Sequence, residues 1–181
     1  MNNALSPQDL KEKGMQLFQQ GSHGDALELF QQAADAFALQ EDVGNQAEVL
    51  NNMGVVQRLQ GELETAVSSF TQAADLFAQI GDTNRQAQTL GNLGDLYAGQ
   101  KKHTEAARHY SNASAQFAQI DEKEKQAQVL RALSLMELRR GQYLTAIMRM
   151  EDSLQARPRL SIFQHLFKWL LRFAVKLLRG E

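Results

Sequence analysis

The sequence predicts an all-α fold, and three observations carry the prediction. Only two prolines occur, Pro7 and Pro158, and the long stretch between them is rich in Ala, Gln and Leu and poor in β-branched residues. The chain repeats itself at a fixed interval, with Gln46, Gln86 and Gln126 opening successive copies of one pattern. Within each copy, two apolar runs at helical spacing flank a turn glycine.

The first helix opens on Ser6-Pro7-Gln8-Asp9, which reads as an N-cap, a first-turn proline and an acidic capping partner. The register then runs from "QAEVLNNMGVVQRLQGELETAVSSFTQAADLFAQIGD" at Gln46 to "QAQTLGNLGDLYAGQKKHTEAARHYSNASAQFAQIDE" at Gln86 and "QAQVLRALSLMELRRGQYLTAIMRMEDSLQA" at Gln126. One period earlier, Gly14, Gly21, Ala26, Phe30, Ala33 and Phe37 align with Gly54, Gly61, Ala66, Phe70, Ala73 and Phe77. Four units follow, at about 6–45, 46–85, 86–125 and 126–157. Each is predicted to be a helical hairpin, as in Leu50, Met53, Gly54 and Gln57, then Leu63, Ala66, Val67, Phe70, Ala73 and Phe77 after Gly61. Gly54, Gly94, Ala66 and Ala106 should let paired helices approach closely, with Phe70, Tyr97 and Tyr110 filling space between units. A single hairpin cannot bury its apolar face, so the units must stack.

Composition excludes several functions. Without cysteine there is no disulfide and no thiolate chemistry. The N-terminus has no basic region followed by an apolar core, so no signal peptide is expected. His23, His103, His109 and His165 lack metal-ligand spacing and read as surface residues, so no metal or cofactor is expected. The glycines of "GNLGDLYAG" lie inside a repeat helix and not in a phosphate loop. Asp75 and Asp82 read as surface and capping residues. No catalytic constellation is present. The net charge of −2 hides an asymmetry, because residues 1–153 sum to −7 and residues 154–181 to +5. An acidic array disfavours nucleic acid.

"NNMGVVQRLQGELETAVSSFTQAADLF" and "GNLGDLYAGQKKHTEAARHYSNASAQF" resemble tetratricopeptide repeats: a Leu-Gly pair or its equivalent, a mid-helix tyrosine, a turn glycine, then alanine, aromatic and alanine. The 40-residue period resembles the subclass in kinesin light chains, Pins-type polarity adaptors and many bacterial signalling proteins. Unit four departs, with Ser134 for glycine, Glu137 for tyrosine and Met150 for the aromatic, and Pro158 stands where a helix-ending proline is usual. It reads as a terminal repeat with a short second helix. The resemblance implies a right-handed superhelical solenoid whose first helices line a groove for a partner peptide or helix. The groove residues would be Gln8, Lys11, Glu48, Asn51, Val55, Arg58, Gln88, Gly91, Asp95, Gln128, Arg131 and Leu135, a mixed surface of amides, cations, acids and apolar contact. Lys11 and Asn52 match part of the carboxylate clamp of chaperone-tail binders. Met15 and Gln88 replace the rest, so that role is not expected.

Residues 158–181 hold a different pattern, "LSIFQHLFKWLLRFAVKLLRG". At 100° per residue, Ile162, Phe163, Leu166, Phe167, Trp169, Leu170, Leu171, Phe173 and Leu177 fall in an apolar arc of about 200°. Lys168, Arg172, Lys176 and Arg179 fall in the polar arc with no acid, and only Val175 intrudes there. A bilayer-crossing helix would carry Lys168, Arg172 and Lys176 into hydrocarbon at roughly 2.5–3.5 kcal/mol each. A basic amphipathic helix lying in the interface fits better.

The expected protein is therefore a non-enzymatic adaptor or scaffold, fitted to assembly of a membrane complex. It would be cytoplasmic and peripheral on a membrane, with a protein partner in its groove. Its C-terminal helix would meet a membrane surface, anionic lipid or a membrane protein. The alternative is a soluble module whose last helix caps the solenoid or forms a homodimer contact.

Overall fold

The computed structural model describes residues 5–157 and 159–179, with the side chains of Phe163, Ala174, Leu177, Leu178 and Arg179 outside the description. The readings placed on Pro158 and on the side chains of Phe163, Leu177 and Arg179 therefore lie outside the described residues. Among the described residues are nine helices and no strand: α1 Pro7–Gln19, α2 His23–Leu39, α3 Val43–Gln60, α4 Leu63–Gln79, α5 Thr83–Gly99, α6 His103–Gln119, α7 Lys123–Arg139, α8 Tyr143–Ala156 and α9 Ile162–Arg179. The predicted all-α fold is the observed one. The chain divides into two compact units, Met1–Leu96 and Tyr97–Glu181.

Local chemistry explains where the helices start. Ser6 caps α1, its hydroxyl accepting from the Asp9 N–H while Asp9 accepts from the Ser6 N–H, a reciprocal box with Pro7 in the first turn. Helices α3, α5 and α7 begin shortly ahead of Gln46, Gln86 and Gln126, the residues that open the sequence repeats. At the first two the physical reason is an aspartate: Asp42 Oδ1 accepts from the Asn45 N–H at 3.1 Å, and Asp82 Oδ1 from the Arg85 N–H at 2.9 Å. The side-chain and backbone hydrogen bonds from Asn45 hold the Asp42 carboxyl below its ordinary value.

The turns show a periodicity that the residue pattern conceals. Left-handed φ values occur at Gly21, Glu41, Gly61, Gly81, Lys101, Asp121 and Gly141, evenly spaced, two to each of the first three sequence repeats and one in the last. The next N–H reaches back to the carbonyl one helical turn and a half earlier, as in Asp42 to Phe37 at 3.0 Å and Glu62 to Gln57 at 2.9 Å. The backbone thus repeats twice for every repeat of the sequence. Glycine at four of the seven positions relieves the Cβ strain of that conformation; Glu41, Lys101 and Asp121 adopt it without that relief.

In the first unit α1 pairs with α2 and α3 with α4, and α2 stacks on α3. The core joins Leu10, Phe30, Phe37, Leu50, Met53, Val56 and Phe77, all buried. The small residues are needed inside the hairpins: a Cβ on Gly14 would lie 2.8 Å from the Phe30 ring, and one on Gly54 2.7 Å from the Phe70 ring. Phe70 therefore packs against its own hairpin's glycine. Ser69 donates to Gln57 Oε1 at 2.8 Å, which satisfies two buried polar groups across the same hairpin.

In the second unit α6 stacks on α7, α7 pairs with α8, and α9 packs on α8. Tyr110 is buried with Leu133 and Met136, and Tyr97 packs against that cluster. The departures of the last repeat have structural partners. Ser134 stands in the glycine register and donates to the Ala146 carbonyl at 2.7 Å, and buried Glu137 pairs with Arg140 at 3.3 Å. Helix α8 has 14 residues against 17 in α6, so the second helix of this hairpin is short as expected. Helix α9 opens on a box of its own: the Gln164 N–H donates to Ser161 Oγ at 3.3 Å, and the Ser161 N–H donates to Gln164 Oε1 at 2.9 Å.

Candidate functional site

Two surfaces collect the predicted site residues. The first is the face that α1, α3 and α5 present in the first unit. Lys11 on α1 reaches across to α3, donating to Asn45 Oδ1 at 2.8 Å and Glu48 Oε1 at 3.3 Å. The other Glu48 oxygen takes Arg85 of α5 at 3.6 Å, and Arg85 also pairs with Asp82 at 2.6 Å. Further along, Asn51 Oδ1 accepts from Thr89 at 3.1 Å and Asn92 at 3.0 Å, and Arg58 pairs with Asp95 at 4.0 Å. A polar ladder thus ties the three helices together.

The ladder engages the cations of this face. Lys11 keeps only 13% of its side chain exposed, and its ammonium is occupied by Asn45 and Glu48 and sits 5.9 Å from the Phe37 ring centre. Arg58 faces a carboxylate one repeat away. The physical reason is spacing: first helices stack side by side, so a cation on one meets an acid on the first helix of the next repeat. Asn45, Arg85, Thr89 and Asn92 belong to this network and were not among the predicted groove residues. The signal was available, since Asn52 and Asn92, or Asn45 and Arg85, share one register. With Asn51 Oδ1 doubly engaged, the Nδ2 amide is that side chain's remaining hydrogen-bonding group. Val55 is half-buried beside it, and Gln88 is exposed and bonded to Asn84. Gln128 and Arg131 lie exposed on α7 in the second unit, with Leu135.

The second surface is α9. Leu171 and Val175 are buried, and Arg172 Nε donates to Glu151 Oε1 of α8 at 2.9 Å. The intruding Val175 is explained: it belongs to the seam toward α8, with Gln164 and Lys168 half-buried along it. Arg172 sits on the polar arc but is ion-paired. The bulky apolar residues face away, with Ile162 87%, Leu166 55%, Phe167 46%, Trp169 61%, Leu170 48% and Phe173 59% exposed. Trp169 and Phe173 stack at 6.1 Å. No carboxylate among the described residues pairs with Lys168 or Lys176.

The surface reading of the histidines holds for His165, whereas His23, His103 and His109 are half-buried. His109 is half-buried and stacks on Tyr97, ring centres 5.3 Å apart and 11° from parallel. Its Nδ1 is buried with no hydrogen-bond partner among the described residues. Burial, and secondarily the Arg108 charge, lower its pKa below the ordinary 6.5. The unfolded chain then binds more protons between the two values, so His109 favours folding above pH 6.5 and loses that contribution as pH falls toward its folded pKa. Melts at pH 7.5 and 5.5 should show a smaller loss for His109→Gln than for the parent chain; equal losses would remove His109 from the account.

A polar cleft of ≈ 460 Å³ in the second unit is lined by Ser114, Gln126, Leu130, Arg149, Asp152, Gln155 and Ala156, and its charged pair, Arg149 and Asp152, stands 3.8 Å apart. No group of three or more metal-ligating side chains occurs among the described residues. No helix among them is long and apolar enough to cross a membrane.

Antiparallel hairpins in tandem, a ladder of polar residues on their first helices and a strict sequence period define a helical-repeat protein of the kind that scaffolds protein interactions. The family model for the tetratricopeptide repeat matches residues 8–79 and 85–159, and the chain belongs to that family. The crystal structure of BtubC (BKLC) from P. vanneervenii is similar in fold, with TM-score 0.75 and 17% identity over 86% of this chain and 68% of that one. No curated protein matches the sequence. Proteins of this family generally act as binding scaffolds and not as enzymes.

Proposed function

We propose that the chain is a non-enzymatic adaptor that holds a protein partner on its repeat array, residues 6–157. In this reading, residues 158–181 attach it peripherally to a membrane or membrane complex on the cytoplasmic side, and the natural task for that pairing is scaffolding or assembly. The observation that carries the membrane half is the outward apolar face of α9, six large side chains with cations beside them and no acid in residues 159–179. Flotation of the full chain on lipid vesicles tests it. The parent chain should float, and Trp169→Glu/Phe173→Glu should not. Failure of the parent to float would end this half of the proposal.

The partner half rests on the family and on the ladder. An extended peptide has carbonyls to satisfy, and the Asn51 amide, fixed by Thr89 and Asn92, is a preorganised donor for one of them. Asn51→Asp keeps the acceptor for Thr89 and Asn92 but removes the donor. Peptides selected on the full chain from a random library should bind it about tenfold more weakly, the scale of one lost hydrogen bond with its desolvation cost. Unchanged affinity across the selected set would place recognition elsewhere.

The packing of α9 on α8 favours a second reading, a cap on the last hairpin. The register argues against a cap of the ordinary kind. Phe167, Leu170 and Phe173 stand one repeat period after Ala127, Leu130 and Leu133, which are buried, yet all three are exposed. Leu171 and Val175 are buried instead, although they stand in register with exposed Arg131 and Leu135.

A further inference from the structure

The two sides of α9 are separate surfaces, and that separation has a consequence for how the chain meets lipid. The seam toward α8 consists of Leu171, Val175 and the Arg172–Glu151 ion pair. At 100° per residue, Leu171 and Val175 lie within about 40° of each other, while Trp169, Phe173, Leu166 and Leu170 spread over the arc beyond them. Each residue of that outer set is exposed, Trp169 and Phe173 the most. Amphipathic helices that must leave their own domain to bind a membrane bury their bulky face in the domain first; here the bulky face is already outside.

Building on the membrane reading above, we propose that α9 binds an anionic phospholipid surface while it stays docked on α8, so that lipid contact and array contact coexist. The occupant is argued from charge and size. Lys168 and Lys176 stand among residues 159–179, where basic side chains have no acidic neighbour in sequence, whereas residues 1–153 sum to −7. Without the basic helix between them, an anionic surface would repel the array. A second helix of protein is a poorer fit. The close helix contacts of this chain use glycine against an aromatic ring, Gly14 on Phe30 and Gly54 on Phe70, while the open face of α9 offers Phe167, Trp169 and Phe173. Bulky side chains of unequal length suit acyl chains, which conform to them.

The consequence is a fixed mount. The last hairpin would be held beside the headgroups through α8, with no tether between helix and array.

The sequence suits the test, because the chain has no cysteine and its one tryptophan is Trp169. Glu151→Cys/Arg172→Cys, joined by a short thiol-to-thiol cross-linker and purified as the cross-linked full chain, cannot undock α9. Vesicles of phosphatidylcholine with and without phosphatidylglycerol serve as the probe. The locked chain should float on the anionic vesicles within about twofold of the reduced, unlinked variant, and its Trp169 emission should shift to the blue. Floating of the unlinked but not the locked form would overturn the docked state while leaving membrane attachment intact. If neither these forms nor the parent chain float, the membrane reading fails and this inference with it. A parent chain that is dimeric without lipid, and monomeric as Trp169→Glu, would assign the face to a second copy and overturn the proposal.

Discussion

Phe70→Ala is expected to cost about 3–5 kcal/mol of stability, among the largest effects of any single truncation in the first unit. The ring is fully buried, and it lies directly over Gly54, where even one methyl group would come within 2.7 Å of it. Removing it leaves a void against a glycine, which has no side chain to relax into the space. The fit is reciprocal. Gly54→Ala should cost about 1–3 kcal/mol by overpacking. Gly54→Ala/Phe70→Leu should then be less destabilised than the sum of Gly54→Ala and Phe70→Leu alone, because the added methyl occupies part of the space that the smaller side chain vacates. Urea melts of the four chains measure the cycle. A cost below about 1 kcal/mol for Phe70→Ala, or strict additivity in the pair, would contradict the packing described.

Trp169→Glu/Phe173→Glu should abolish lipid binding with little change in folding. Both side chains are about 60% exposed and stacked on each other, so their loss leaves the α8 seam and the repeat cores alone. Inserting them into a bilayer contributes about 1.5–3 kcal/mol each, so their removal forfeits roughly 3–6 kcal/mol before any repulsion between the new carboxylates and anionic headgroups. At about 1.4 kcal/mol per tenfold, partition should fall by at least about 100-fold. The control is Lys168→Gln/Lys176→Gln, which should weaken binding to anionic vesicles by roughly tenfold or more and leave neutral vesicles little affected, at about 1 kcal/mol per cation. Flotation at low and physiological salt separates the two contributions, since only the second is screened. Circular dichroism of each variant verifies that the helices remain.

The legibility of this protein differs between its parts for a physical reason. The hairpins could be read from residues such as Gly54, Phe70, Gly61 and Pro7 because their causes are local or lie one helix away. A glycine turns the chain, a proline starts a helix, and an aromatic ring needs a small residue opposite. The shorter period of the turns was hidden because Glu41, Lys101 and Asp121 adopt the same backbone as Gly21 and Gly61 without announcing it in composition. Which side chains of the first helices pair with one another was not legible in the sequence. That Lys11 is spent on Asn45 and Glu48, and Arg58 on Asp95, depends on side-by-side stacking of α1, α3 and α5, which brings side chains from successive repeats within 4.0 Å. The burial of His109 has a different cause, since Tyr97 of the preceding helix, within the same hairpin, stacks on it, and a polar side chain in the sequence does not show which ring will cover it.

The C-terminal helix divides most clearly. Its amphipathic arc, its cations and its break from the repeats are properties of residue order at 100° per step, and the sequence alone determined them. Which edge of that arc touches α8 was decided only by the tertiary structure. An apolar face wider than half the helix can satisfy a neighbour along any of several seams. The choice of Leu171 and Val175, with Arg172 reaching Glu151, comes from the shape and charge that α8 presents there.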